Sequence, residues 1–119
     1  MIKIWDVYAE KHVRILKGHK DGVKCLKLLP SFKLASGSLD SSIIIWNYNT
    51  SECIQIINGH SNSILGLEFI PNDHLISCST DNFLKVFFSF NDKNYSIKQI
   101  KTNHRNKHVF KLFKGMEFI

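Results

Sequence analysis

Three residue types that can perform nucleophilic hydrolysis occur twice in this chain at fixed intervals. His19 precedes Ser36 by 17 residues and Asp40 by 21, and His60 precedes Ser77 and Asp81 by the same steps. A hydroxyl, an imidazole and a carboxylate are the parts of an acyl-transfer triad, in which the ring takes the serine proton and the acid orients the ring. Two features argue against that chemistry. The set recurs in phase, as a fold-building feature does, and neither serine has the glycine-flanked elbow that lifts a reactive hydroxyl clear of its sheet. The other candidates are thinner. Among His12, His19, His60, His74, His104 and His108, only the last two have ligand-like spacing, and no Cys or acid joins them at zinc-site intervals. They read as polar residues on a basic loop. Cys25, Cys53 and Cys78 make no C-x-x-C pair. They read as reduced thiols packed in strands, which points to an intracellular compartment, cytoplasmic or nuclear. Gly37 and Gly66 stand alone within strands, so no glycine loop cradles a phosphate. The sequence therefore calls for no catalytic residue, no metal and no cofactor.

The elements that must position these residues repeat every 41 positions. Trp5 recurs as Trp46 and as Phe87, Gly18-His19 as Gly59-His60, Pro30 as Pro71, Asp40 as Asp81, and Leu34-Ala35-Ser36 as Leu75-Ile76-Ser77. A period of this length marks a supersecondary unit that buries its apolar face only against its neighbours. Each unit reads as four short strands. In residues 18–58 these are Val23–Leu29, Phe32–Gly37, Ile43–Trp46 and Glu52–Ile57; in residues 59–101 they are Ile64–Phe69, Leu75–Cys78, Leu84–Phe88 and Tyr95–Ile100. Alternating or β-branched stretches separated by Pro, Asp, Ser and Asn carry this reading, and no capped 3.6-residue stripe competes with it. Residues 1–17 hold the second half of a unit, and residues 102–119 are basic and begin a degraded one, with strands expected at 109–113 and 116–119.

Gly-His, a strand, a Pro turn, Leu-Ala-Ser-Gly-Ser, an Asp turn and Ile-Ile-Ile-Trp-Asn together resemble the WD-repeat family of β-propellers, and Trp5-Asp6 is its literal signature dipeptide. The resemblance covers residues 1 to about 101. It implies an all-β fold of four-stranded antiparallel blades, forming a partial or open propeller unless another chain completes it. It also implies that His19, Ser36, Asp40 and Trp46, and again His60, Ser77 and Asp81, form a structural network. The types suit this role: an indole N–H only donates, hydroxyl and imidazole do both, and a carboxylate accepts. Phe87 supplies no indole donor, so the second unit is expected to be the less stable one. Family members act as non-catalytic scaffolds or adaptors that bind protein partners on rim loops. By position those loops hold Lys20, Asp21, Gly22 and Leu39 in one unit, and Ser61, Asn62, Ser63 and Thr80 in the next.

Charge suggests a second kind of partner. Residues 1–92 carry nine Lys/Arg and nine Asp/Glu, whereas 93–119 carry seven basic residues and one acid, so the net charge of +6 lies there. Arg105, Lys107, Lys111 and Lys114, with Tyr95, Phe110 and Phe113 interleaved, give a nucleic-acid alternative. No apolar run approaches the ~18 residues of a membrane span. Two whole blades are too few for a ring of about four to eight. Three arrangements stay open: a part of a longer propeller, a two-fold homodimer closed by exchanged end strands, or completion with another propeller chain.

Overall fold

Polar residues that tolerate a left-handed backbone fix where the strands reverse. The computed structural model describes residues 1–70, 73–88 and 95–101. Glu10 and Ser51 have φ of 55° and 67°, and Ser41 and Asn82 have 71° and 67°, so each turn conformation recurs one period later. Phe32 has φ 60° where the next unit has Asp73 at 59°; an aromatic residue there is unusual, since bulky side chains crowd the backbone in this region.

Ten strands result: β1 (Ile2–Asp6), β2 (Lys11–Leu16), β3 (Val23–Leu29), β4 (Lys33–Ser38), β5 (Ile43–Asn47), β6 (Glu52–Ile57), β7 (Ile64–Ile70), β8 (His74–Ser79), β9 (Phe83–Phe88) and β10 (Ser96–Lys101). They form a two-stranded sheet β1-β2 and two four-stranded sheets, β3-β4-β5-β6 and β7-β8-β9-β10, in which every neighbouring pair is antiparallel. No helix occurs among the described residues. The fold is thus all-β, with blade-like sheets in an open, incomplete array. The strands expected at 109–113 and 116–119 lie outside the described residues, as do Pro71-Asn72 and the His104–His108 pair.

The sheets stack face to face. Leu34, Ile44 and Trp46 pack on Ile2 and Leu16 of the two-stranded sheet. On the opposite face, Leu29, Ala35, Ile43, Ile45 and Ile57 pack against Ile64, Leu67, Leu75 and Phe87 of the last sheet. Innermost strands β3 and β7 meet in this junction, and Lys27 Nζ lies 2.5 Å from Glu68 Oε1 across it. Cys25 and Cys78 are at least partly buried there, and burial pushes their thiols up to about 11 and about 12. Cys53 corrects the expectation of three packed thiols: it lies on the outermost strand β6 and is exposed.

Candidate functional site

The Ser-His-Asp sets converge because β4 and β5 place their residues on one face of the sheet and the segment before β3 crosses its end. Trp46 Nε1 donates to Ser36 Oγ at 2.8 Å, Ser36 Oγ lies 2.6 Å from His19 Nε2, and His19 Nδ1 lies 3.0 Å from Asp40 Oδ2. The carboxylate only accepts, so Nδ1 carries the ring proton and Nε2 accepts the serine proton. Every donor then has an acceptor. In the next sheet Ser77 Oγ meets His60 Nε2 at 2.7 Å and His60 Nδ1 meets Asp81 Oδ2 at 2.8 Å.

These distances match those of a hydrolytic triad, but accessibility decides against that use. Ser36 and Ser77 are both 0% exposed. A substrate cannot reach either hydroxyl, and Ser36 is further engaged by the indole. No group of three or more metal-ligating side chains is assembled among the described residues.

The carboxylates do a second task. Asp40 accepts from the Lys20 N–H at 2.8 Å, the Ser42 N–H at 2.9 Å and the Ser42 hydroxyl at 2.6 Å. Asp81 accepts from the Ser61 N–H at 3.1 Å and the Phe83 N–H at 2.9 Å. Burial pushes both acids upward, yet these hydrogen bonds and those from His19 and His60 outweigh it, holding Asp40 well below the usual carboxylate range and lowering Asp81 as well. Burial lowers His60, with Lys85 adding to this and Asp81 opposing it.

Each carboxylate thereby fastens the loop before one inner strand to the turn two strands later. Ser38 Oγ donates to the Gly22 carbonyl at 2.9 Å, and the Leu39 N–H donates to the same carbonyl at 2.9 Å. Ser79 Oγ reaches the Asn62 carbonyl at 3.1 Å, and the Thr80 N–H reaches the Ser63 carbonyl at 3.2 Å. Ser63 Oγ contacts the Leu39 carbonyl at 3.4 Å, which joins the two blades. Lys20, Asp21, Gly22, Leu39, Ser61, Asn62 and Thr80 are exposed on this rim, and Ser63 is half-buried. The structure therefore gathers all eight loop positions along one edge. Arg105, Lys107, Lys111 and Lys114 lie outside the described residues.

Three features escaped sequence reasoning. Asp6 Oδ1 accepts the N–H groups of Tyr8 and Ala9 at 3.0 and 3.1 Å, and Asn47 Oδ1 accepts those of Asn49 and Thr50 at 2.9 and 3.1 Å. The acceptor after each tryptophan thus closes the next turn. Phe88 stands in that place in the last unit and has no such acceptor, and β10 starts 44 residues after β6 where 41 is the period. A bulge precedes Trp5 and Trp46, but β9 and β10 pair without one at Phe87. Finally, Lys85 replaces Ile44, and its ammonium donates to the Gly59 carbonyl. The 41-residue offset itself could have revealed the exchanges at 85 and 88.

A family model described as WD domain, G-beta repeat matches residues 10–47 and 51–87. Each match runs from an outer strand through three strands of the following sheet, so the sequence unit and the folded sheet are offset by one strand. No match was found among curated proteins.

Proposed function

Since this chain belongs to the WD-domain, G-beta repeat family, whose repeats generally mediate protein–protein interaction, we propose that it is a non-catalytic scaffold or adaptor module that holds a protein partner on the rim of Lys20, Asp21, Leu39, Ser61, Asn62 and Thr80. One observation carries the reading. Loops from two blades are pinned by Asp40 and Asp81 and tied together between Ser63 and Leu39. Exposed side chains on fastened backbone lose little freedom on binding, which is how a preorganised surface gains affinity. The rim mixes an apolar anchor, Leu39, which is 42% exposed, with charged and amide groups, a composition suited to a protein surface.

The test compares partner capture by the wild-type chain, by Leu39→Glu/Thr80→Glu on the rim, and by Lys98→Glu on β10 as a control. The rim variant is expected to lose the partner and the control to keep it. Retention by the rim variant refutes the assignment. Retention of nucleic acid that falls steeply with salt and vanishes when Lys107, Lys111 and Lys114 are neutralised would transfer the function to the basic stretch.

A further inference from the structure

The 41-residue period separates what the fold requires from what it leaves free. On the face of the second sheet that is turned toward β1 and β2 lies a crevice of about 210 Å³. Gly18, Lys20, Ser42, Ile44, Ile56 and Asn58 line it, with Asp40 at its side. Ile44 and Ile56 are directly paired across β5 and β6 and so share one face. Ile44 is sealed against Ile2 and Leu16, whereas Ile56 beside it is 54% exposed. The apolar packing therefore ends between them and leaves an open apolar wall.

Two of the lining residues belong to the fold and recur. Gly18 returns as Gly59 and Asp40 as Asp81. The rest do not recur. Ser61, Phe83 and Lys85 stand in the places of Lys20, Ser42 and Ile44. By strand register, Gln99 faces Lys85 as Ile56 faces Ile44. A lysine beside an exposed isoleucine is thus found at one junction and replaced at the next, so building the sheet does not demand it.

Charge sets the chemistry. Both oxygens of Asp40 are taken: Oδ2 by the His19 ring and the Lys20 N–H, Oδ1 by the Ser42 N–H and hydroxyl. An incoming cation would find this carboxylate already satisfied. The Lys20 ammonium has no acidic partner among the described residues, and neither has exposed Lys17 three positions before it. The uncommitted charge is positive, and the Asn58 side-chain amide adds neutral donors.

We propose that this crevice takes a short extended segment of a partner protein that carries an aliphatic side chain and, two residues away, a carboxylate. Alternate residues of an extended chain share a face. The aliphatic group lies on Ile56 and Ile44, and the carboxylate accepts from Lys20 and Asn58. This rests on the reading of the adjoining edge as a protein-binding rim, to which Lys20 also belongs, and it names the chemistry of the partner.

The probe is the peptide acetyl-Gly-Leu-Ser-Glu-Gly-amide, titrated into the full isotope-labelled chain. The readout is the backbone amide resonances of Gly18, Lys20, Ser42 and Asn58. Saturable shifts at these amides are expected. Glutamine in place of the peptide's glutamate, or Lys20→Gln in the chain, should each weaken binding about two- to fivefold at low salt, as for an exposed ion pair. Both changes together should cost no more than either alone. Ile56→Gln should weaken binding about fourfold or more, the effect of withdrawing at least one methylene from an apolar contact. Lys20 and Ile56 are exposed, so both variants should keep the wild-type far-UV spectrum. Leu39→Glu/Thr80→Glu lies outside the crevice and should leave peptide binding unchanged. Four results overturn the proposal: no saturable shift at these amides, equal binding of the glutamine peptide, no effect of Ile56→Gln, or saturation only by a peptide with phosphoserine in place of glutamate. If partner capture is still lost in Leu39→Glu/Thr80→Glu, the rim reading survives each of these results.

Discussion

Lys85 holds the space that an indole occupies in the preceding sheet, and this makes a measurable prediction. A methyl placed on Gly18 would lie 2.9 Å from Trp46 Cη2 and 3.6 Å from Cζ2. At Gly59 the corresponding neighbours are Lys85 Nζ at 3.2 Å and Cδ at 3.6 Å. Phe87→Trp alone therefore drives the new ring into the lysine stem, and overpacking of this kind costs about 1–3 kcal/mol. Lys85→Ile alone removes the hydrogen bond to the Gly59 carbonyl, a loss of about 1 kcal/mol. Together the two changes recreate the arrangement of Ile44 and Trp46. The indole then donates to buried Ser77 as Trp46 does to Ser36, returning about 1 kcal/mol. The double variant should match or exceed the wild type, giving a coupling of about 2–4 kcal/mol, at the upper end of what contacting residues show. The assay is urea unfolding of the four chains followed by far-UV circular dichroism, with a common slope. If the two effects add to within about 0.5 kcal/mol, the residues do not compete for one space and the reasoning fails.

Other expectations are more local. Gly37→Ala would bring a methyl within 2.7 Å of Cys25 Sγ and 2.9 Å of Ile64 Cβ, closer still to Ile64 Cγ2; urea melts should show a loss of about 1–3 kcal/mol. Gly22→Ala, which meets only Leu39 Cδ1 at 3.4 Å, should be nearly silent in the same melts. Phe32→Asp should raise stability by up to about 1 kcal/mol by relieving a left-handed aromatic residue, less what its edge contact with Tyr48 contributes; a lower urea midpoint would contradict this. Stability should also fall with acid. Asp40, Asp81 and His60 all have folded values below their ordinary ones, so at each site the unfolded chain binds more protons. The His60 contribution is complete above about pH 6.5 and declines below it, and the carboxylate contributions decline from about pH 4 downward through their folded values. Melts from pH 8 to pH 3 check the two limbs, and Asp81→Asn should flatten the lower one.

Much of this molecule was legible along the chain because its fold is periodic. Offsets of 41 carried strand number and order, since β-branched segments ending at Asp, Asn and Ser turns recur unit after unit. They also carried the network, because Trp46, Ser36, His19 and Asp40 have complementary donors and acceptors, and the repeat keeps their spacing. Strand ends were read to within one or two residues, as usual for boundaries that depend on the last hydrogen bond. Accessibility was not legible. Nothing in the spacing says that Ser36 is sealed while Leu26 and Leu28 stand open, because each depends on which sheet lies across it. The same holds for Cys53, exposed on an outer strand while Cys78 is buried on an inner one. Local sequence decided where this chain reverses and which side chains share a face, since backbone sterics and strand alternation act over a few residues. Which faces are covered was decided only by stacking, since burial is a property of the neighbouring sheet and not of the strand that carries the residue.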